Sequence, residues 1–424
     1  MLGHAAPSTL SGDPPSRVLK GCAVLTNASS ATGRRARLGF GFLGVVLIAV
    51  NLRVGFVTVG PLLEEISRDL GISAGQAGLL TGLPLAMFAL FSPVAPAVAA
   101  RTGLDRALWL SLLLLAAGIA GRSAPVEGAV WVGTAVIGIG IAFLNVLLPS
   151  LVKREFPLRV SQVTGVYTSI QGAVAAASSA LVVPIAHAGP AGWRLALAVW
   201  AVPAVVALVV LSPGLRTGSS GPAVPAAELG PYRSPWRSAL GWQVTLFMGL
   251  QSVAFYVLMA WLPSIERSHG VSATAAGTHM ALFLLIGMGA SLGTGALMHR
   301  LGDQRPVAFA GSALALATFA GLAAAPELTL LWIVLGSIGC GSLIVVALSL
   351  FSLRSTDHRQ AAALSGMAQS VGYALAAIAP AVFGALYDAG GRWEPPLLLM
   401  AGLMAVLCVV ALFAGRDRVI GPGR

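Results

Sequence analysis

After a polar opening stretch the chain is a succession of apolar blocks about 18 to 26 residues long, each enough to cross a ~30 Å hydrocarbon layer as a helix. Twelve can be marked, at 38–63, 74–99, 105–122, 128–151, 160–186, 192–211, 241–264, 273–298, 306–323, 328–352, 361–386 and 394–414. In hydrocarbon no water satisfies backbone N–H and C=O groups, so a block of this length must bond within itself. The expected fold class is therefore an all-α polytopic membrane protein. Composition agrees, with 57% hydrophobic and 10% charged residues and a mean hydropathy of +0.86 over 424 residues.

The segments between the blocks set the expected organisation. Residues 1–37 are rich in Ser, Pro, Gly and Thr, lack the apolar core of a cleavable signal peptide, and read as a disordered cytoplasmic tail. Residues 38–211 form a first group of six blocks and 241–414 a second. Between them, 212–240 reads as a Gly/Pro/Ser-rich cytoplasmic linker, and 415–424 as a second cytoplasmic tail. Basic residues in short loops mark the cytoplasmic side. Arg101, Arg106, Lys153, Arg154, Arg159, Arg300, Arg305, Arg354 and Arg359 fall on one side, against Arg68, Arg122, Arg194, Arg267 and Arg392 on the other. Both termini are expected inside, with the chain multi-pass in the plasma membrane and functional as a monomer.

The two groups of blocks are related. At an offset of 199, Gly71-Ile72-Ser73-Ala74 answers Gly270-Val271-Ser272-Ala273, and Arg101, Gly103 and Arg106 answer Arg300, Gly302 and Arg305. At 201, Trp131, Gly138, Gly140 and Gly165 answer Trp332, Gly339, Gly341 and Gly366. An even number of crossings per copy makes the repeats parallel, related by an axis along the membrane normal, with a cavity expected between them near midplane. This is the architecture of a transporter.

One basic residue lies deep in an apolar block. Arg53 sits in Asn51-Leu52-Arg53-Val54-Gly55, roughly 4 Å beyond the midpoint between Arg37 and Glu64 at ~1.5 Å per residue. A central Arg costs about 2.5–3.5 kcal/mol on insertion scales, so it faces a bundle interior or watery cavity, where a cation suits an anionic ligand. Fixing helix packing through backbone carbonyls is the alternative role. Asn51 lies about 200° away around the helix and is expected to be interhelical glue instead. The repeat register places Gln251 and Ser252 opposite Arg53, with Phe255 and Tyr256 one turn on as an aromatic wall with a hydroxyl. Asn145, Gln171 and Gln369 are lone amides in apolar surroundings, either cavity-lining or interhelical, with Tyr167 one turn before Gln171. Such sparing polarity suits a small polar or singly anionic substrate.

Asn51-Leu52-Arg53, Val59-Gly60-Pro61-Leu62-Leu63, the run Ala77-Gly78-Leu79-Leu80-Thr81-Gly82-Leu83-Pro84, and Phe255-Tyr256-Val257-Leu258 before Trp261-Leu262-Pro263 resemble the major facilitator superfamily. Within it they resemble the cyanate/nitroimidazole transporter family. The resemblance covers nearly all of 38–414 and implies twelve transmembrane helices in two six-helix bundles, with cyanate-like anions or nitroimidazole-like aromatics as substrates. The superfamily's loop signature between helices two and three survives as Arg101-Thr102-Gly103 and Arg300-Leu301-Gly302, with Ala100 and His299 in place of its acid.

Other chemistry is excluded on composition and spacing. Lys20 and Lys153 follow no phosphate-binding loop, the six histidines never pair at metal-ligand spacing, and Cys22, Cys340 and Cys408 form no CxxC. No enzyme activity, cofactor or metal is expected. The basic residues form no contiguous stripe for nucleic acid, so partners are a small-molecule substrate, the bilayer and, as an option, a coupled proton. His279, near the outer end of its block, reads first as a hydrogen-bonded structural residue, with a proton-carrying role as the alternative. Efflux of a small aromatic compound and a transporter-like membrane sensor stay open as alternatives.

Overall fold

The computed structural model describes residues 3, 41–55, 57–72, 74–216 and 233–421. By internal contacts the chain falls into two units, Met1–Leu43 and Gly44–Arg424. Of the first, residues 41–43 are helical. The expected tail at 1–37 and most of the linker at 212–240 lie outside the described residues, as does Cys22.

The second unit is built of helices. Helix α1 runs over 44–55, within the apolar span Gly41–Leu62. It unwinds into a 3-10 turn at Gly60–Leu62, where Pro61 has no N–H to continue the ladder. The others are α2 (Leu63–Leu70), α3 (Ala74–Phe91), α4 (Ala95–Thr102), α5 (Leu104–Arg122), α6 (Ala129–Glu155), α7 (Val160–His187), α8 (Gly192–Ala198) and α9 (Ala201–Arg216). Beyond the undescribed 217–232 follow α10 (Ala239–Ser268), α11 (Ala273–Arg300), α12 (Arg305–Ala324), α13 (Thr329–Leu353), α14 (His358–Gly390) and α15 (Glu394–Ala414).

Among the described residues eleven helical spans are long and apolar enough to cross a membrane, and a bent pair brings the number to twelve. That pair is the block expected at 74–99. It is not one straight helix: Leu79–Phe91 and Ala95–Thr102 meet at 58°, because Pro93 and Pro96 interrupt the backbone ladder between them. The block at 192–211 is likewise divided into α8 and α9, although Gly192–Ser212 still counts as one span. The acids after α1 do not extend it; they fall in the separate short helix α2, which ends at Gly71 with φ 63°.

Helices α1–α9 precede the undescribed segment and α10–α15 follow it, and the two sets touch through repeat-related residues. A Cβ on Gly165 of α7 would lie 2.8 Å from the carbonyl oxygen of Ser291 and 3.1 Å from Cα of Gly295, both on α11. A Cβ on Gly366 of α14 would lie 2.8 Å from the carbonyl oxygen of Ser92 and 2.9 Å from Cγ of Pro96 on α4. The glycines are separated by 366 − 165 = 201, and the residues they face by 291 − 92 = 199 and 295 − 96 = 199. The same close approach is therefore made twice, once on each side of the repeat axis.

Hydrogen bonds reinforce this seam. Ser150 Oγ donates to His358 O at 2.6 Å, Ser352 Oγ to Pro149 O at 2.8 Å, Ser370 Oγ to Ala89 O at 2.7 Å and Ser169 Oγ to Met288 O at 3.1 Å. These contacts gather toward the helix ends that carry Arg101, Lys153, Arg154, Arg300 and Arg359. Further along α7 and α14 side chains are exposed, as at 172–173 and 385–386.

Two repeat-related arginines (354 − 154 = 200) finish that end. Arg154 makes a fork with Asp105 at 2.6 and 3.0 Å, tying α6 to the start of α5. Arg354, 1% exposed, donates to the carbonyls of Ala414 at 3.1 Å and Gly415 at 2.9 Å, closing the C-terminus of α15 where a cation meets the negative end of the helix dipole. Arg354→Met is expected to lower stability by about 1–3 kcal/mol, because it strips buried carbonyls of their donors. Thermal unfolding in detergent checks this.

Candidate functional site

Arg53 is half-buried on α1, ahead of the turn at 58–59 and the 3-10 turn at Gly60–Leu62. Its guanidinium donates a hydrogen bond to the phenol of Tyr256 on α10. Tyr373 on α14 lies within electrostatic reach of both Arg53 and Tyr256, and Tyr167 on α7 within reach of Tyr373. Phe88 on α3 packs its ring against Tyr373 at 5.2 Å between centroids, and Phe255 stands edge-on to Tyr256 at 5.4 Å. Residues of five helices from both sets are thus linked in one cluster, with Tyr256 and Tyr373 joined to Arg53 and the other rings joined to those two tyrosines. A guanidinium fork recognises carboxylate-like and nitro-like groups, and the surrounding ring faces and phenol hydroxyls suit a flat, compact molecule.

The amides are divided differently from expectation. Gln251, expected to face Arg53, is 2% exposed and turned to its own helix, with Nε2 donating to Met248 O at 3.2 Å and Ser252 Oγ at 2.8 Å. In an apolar helix an amide takes the nearest acceptors, and here those are local. Tyr256 meets Arg53 instead. Asn51 also bonds locally: Nδ2 donates to Leu47 O four residues back at 2.8 Å, not to a neighbouring helix.

Gln369 and Asn145 come together. Gln369 Nε2 donates to Asn145 O at 3.1 Å and Ser365 Oγ at 2.8 Å, while its Oε1 is buried without a partner. Through the backbone carbonyl of Asn145 this bond joins α14 to α6, one turn before Tyr373. Gln171 is buried on α7 one turn beyond Tyr167, with 6% exposure.

The loop-signature residues stand apart from this cluster. Arg101 and Arg300 are exposed in the last turns of α4 and α11, and Gly302 is exposed just beyond α11. Gly103 takes φ 88° between α4 and α5, a conformation open to glycine. The acid missing before each arginine stands after each glycine instead, as Asp105 paired with Arg154 and as Asp303, 3.3 Å from Arg305.

Tyr373 and Phe88 were not anticipated. Tyr373 had a readable signal: it follows Gln369 by four residues, hence on the same helix face, in a chain with five tyrosines. Phe88 had none, being one apolar residue among many. A second unanticipated contact lies between α10 and α11, where His279 Nδ1 is 2.5 Å from Glu266 Oε1 and Glu266 is 1% exposed with Oε2 lacking a partner.

Residues 41–336 match the family model of the Major Facilitator Superfamily. The chain belongs to that superfamily. It is 42% identical over 377 residues to the 2-nitroimidazole transporter of Escherichia coli (strain K12), covering 89% of this chain and 95% of that protein. The cyanate transport protein of the same organism is 29% identical over 380 residues, 87% and 94% of the two chains. Among solved structures, the proton:xylose symporter of the superfamily aligns with a TM-score of 0.72 at 13% identity over 91% of this chain and 98% of that one. A superfamily transporter in the outward conformation gives 0.71 at 16%, over 88% and 98%. The fold is the all-α transporter fold of the superfamily, in a multi-pass membrane protein that moves small molecules and is not an enzyme.

Proposed function

We propose that this superfamily member is a secondary transporter of a small, flat anion or electron-rich polar molecule, working by alternating access of 38–211 against 241–414. Arg53 holds the negative or electron-rich end. The observation that carries this reading is the hydrogen bond from Arg53 to Tyr256 inside a shell of Tyr373, Tyr167 and Phe88. A cation there takes the charged end and the rings take the plane. The named activities of the two relatives, on 2-nitroimidazole and on cyanate, fall in this class. The further lining groups are Gln171, Asn145 and Gln369, with Gln251 and Asn51 holding their helices. The test is uptake and efflux in proteoliposomes with a panel of cyanate, nitrite, formate, 2-nitroimidazole and 4-hydroxybenzoate. Flux of the flat anions and azoles is expected, with none for a bulky sugar acid such as gluconate.

On the charge rule we read the arginine-rich end as the cytoplasmic one, with both termini inside. The glycine and serine seam at that end then corresponds to a cytoplasmic gate in its closed state, the outward-facing half of the cycle.

Proton coupling is assigned to the Glu266–His279 pair. A buried carboxylate against an imidazole can hold or release one proton between them without leaving a bare charge in the membrane. With one proton per monovalent anion, an inward acid gradient of one pH unit drives about tenfold accumulation. Glu266→Gln is expected to abolish that accumulation while downhill exchange of substrate persists. Accumulation unchanged in Glu266→Gln and in His279→Gln alike contradicts the assignment.

A further inference from the structure

The ends of α2 and α5 and the starts of α6 and α8 line a cavity of about 300 Å³ with Arg122, Glu127, Trp131, Trp193 and Arg194, among others. Arg122 is 1% exposed. Its Nη1 donates to Gly55 O at 2.5 Å, but Nε and Nη2 are buried with no acceptor among the described residues. Arg194 adds another donor: Nη1 is committed to Asp69 at 2.7 Å, and Nε is buried without a partner. Asp69 is engaged too, by the Trp193 indole N–H at 3.1 Å and by Arg194, which together hold its carboxyl below the usual range. Glu127 lies at the rim and is exposed. Two guanidinium groups therefore line one cavity with unsatisfied N–H groups, and a buried cation without a counter-charge costs several kcal/mol.

The repeat supplies an internal comparison. The corresponding corner after α12 is also a cavity, lined by Leu322, Ala323, Trp393 and Glu394. Trp193 answers Trp393, Arg194 answers Glu394 and Arg122 answers Leu322, all at an offset of 200 (for instance 393 − 193). In the second copy the arginine that lines this corner, Arg392, is exposed, while Leu322 and Glu394 stand where the first copy has Arg122 and Arg194, so a buried guanidinium at this corner is a property of the first copy and not a requirement of the packing.

We infer that this cavity is a second anion site, independent of the substrate role given to Arg53, which takes a monovalent oxyanion or carboxylate on the Nε–Nη2 edge of Arg122 with Arg194 beside it. The planar edge matches two carboxylate oxygens in the bidentate geometry arginine favours. Because the same guanidinium holds the Gly55 carbonyl, two residues beyond Arg53, an anion there is linked to α1 ahead of its turn at 58–62. A soluble carboxylate and a lipid headgroup phosphate share this chemistry.

The test is thermal unfolding of the purified protein in phosphatidylcholine nanodiscs, titrated with formate against gluconate at equal ionic strength. Because formate belongs to the proposed substrate class, every variant is made in the Arg53→Gln background, where formate is expected to raise the midpoint more than gluconate, since binding to the folded state stabilises it by mass action. Arg122→Gln is expected to lose the formate-specific rise. Glu127→Gln, an exposed position that leaves the packing intact, is expected to reach the same rise at about two- to fivefold lower formate, because a repelling rim charge is gone. A rise that appears only when phosphatidylglycerol is added, and disappears in Arg122→Gln, supports the site with a lipid headgroup as its ligand. No formate- or phosphatidylglycerol-specific rise in the Arg53→Gln background, or the same rise after Arg122→Gln is added, overturns the inference. Should Arg122→Gln fail to fold, unchanged formate dependence in both Arg122→Lys and Glu127→Gln overturns it equally.

Discussion

Arg53→Gln is expected to abolish transport of the cognate anion while leaving the protein folded. The side chain is half-buried and donates to Tyr256, so glutamine keeps a donor and most of the volume but removes the charge and the fork. Losing a charge-assisted contact to a substrate in a desolvated site costs about 2–4 kcal/mol, or roughly 30- to 1000-fold in affinity. Arg53→Lys keeps the charge without the planar fork and is expected to fall between the two. Tyr256→Phe removes the acceptor and is expected to weaken transport less than Arg53→Gln, since the cation stays. Initial uptake rates in proteoliposomes, at matched protein incorporation, measure all three.

The second large effect is expected at the seam. Gly165→Leu or Gly366→Leu places a side chain where even a Cβ would sit 2.8 Å from a carbonyl oxygen on the opposing helix. Overpacking of this kind costs about 1–3 kcal/mol, and here it falls on the contact that closes the arginine-rich ends together. A bias of that size moves a two-state equilibrium by roughly 5- to 150-fold. Either variant is expected to depopulate the closed seam and lower transport, and the effects should match because the two contacts are repeat-related. Spin labels at Leu158→Cys and His299→Cys, both beside the seam, are expected to report a longer distance in either glycine variant than in the parent pair.

Much of this was readable from the residues because hydrocarbon imposes strong rules. Apolar block length gave the spans, and the repeat register paired Gly165 with Gly366 before any contact was known. Arg53 stood out as one basic residue within an apolar block. What the sequence did not show has local physical causes. The bend at Pro93 and the turn at Pro61 depend on whether neighbouring helices tolerate a broken ladder, which no hydropathy pattern records. Gln251 and Asn51 turned inward because acceptors on their own helices, Met248 O and Leu47 O, are nearer than any across a gap. Tyr373 and Glu266 become partners of Arg53's cluster and His279 through contacts between helices, and only the packing of α10, α11 and α14 brings them there. Arg122 was counted as a loop charge marking the outer side, yet it is buried, since its helix ends one turn inside the fold.

The most direct measurement is calorimetric binding of cyanate and 2-nitroimidazole to purified wild-type protein and to Arg53→Lys and Arg53→Gln. Substrate binding is expected in wild type, weakened in the lysine variant and lost in the glutamine variant, with thermal stability unchanged among the three. Equal affinity for wild type and a folded Arg53→Gln contradicts the assignment of Arg53 to the substrate and leaves it a role in helix packing.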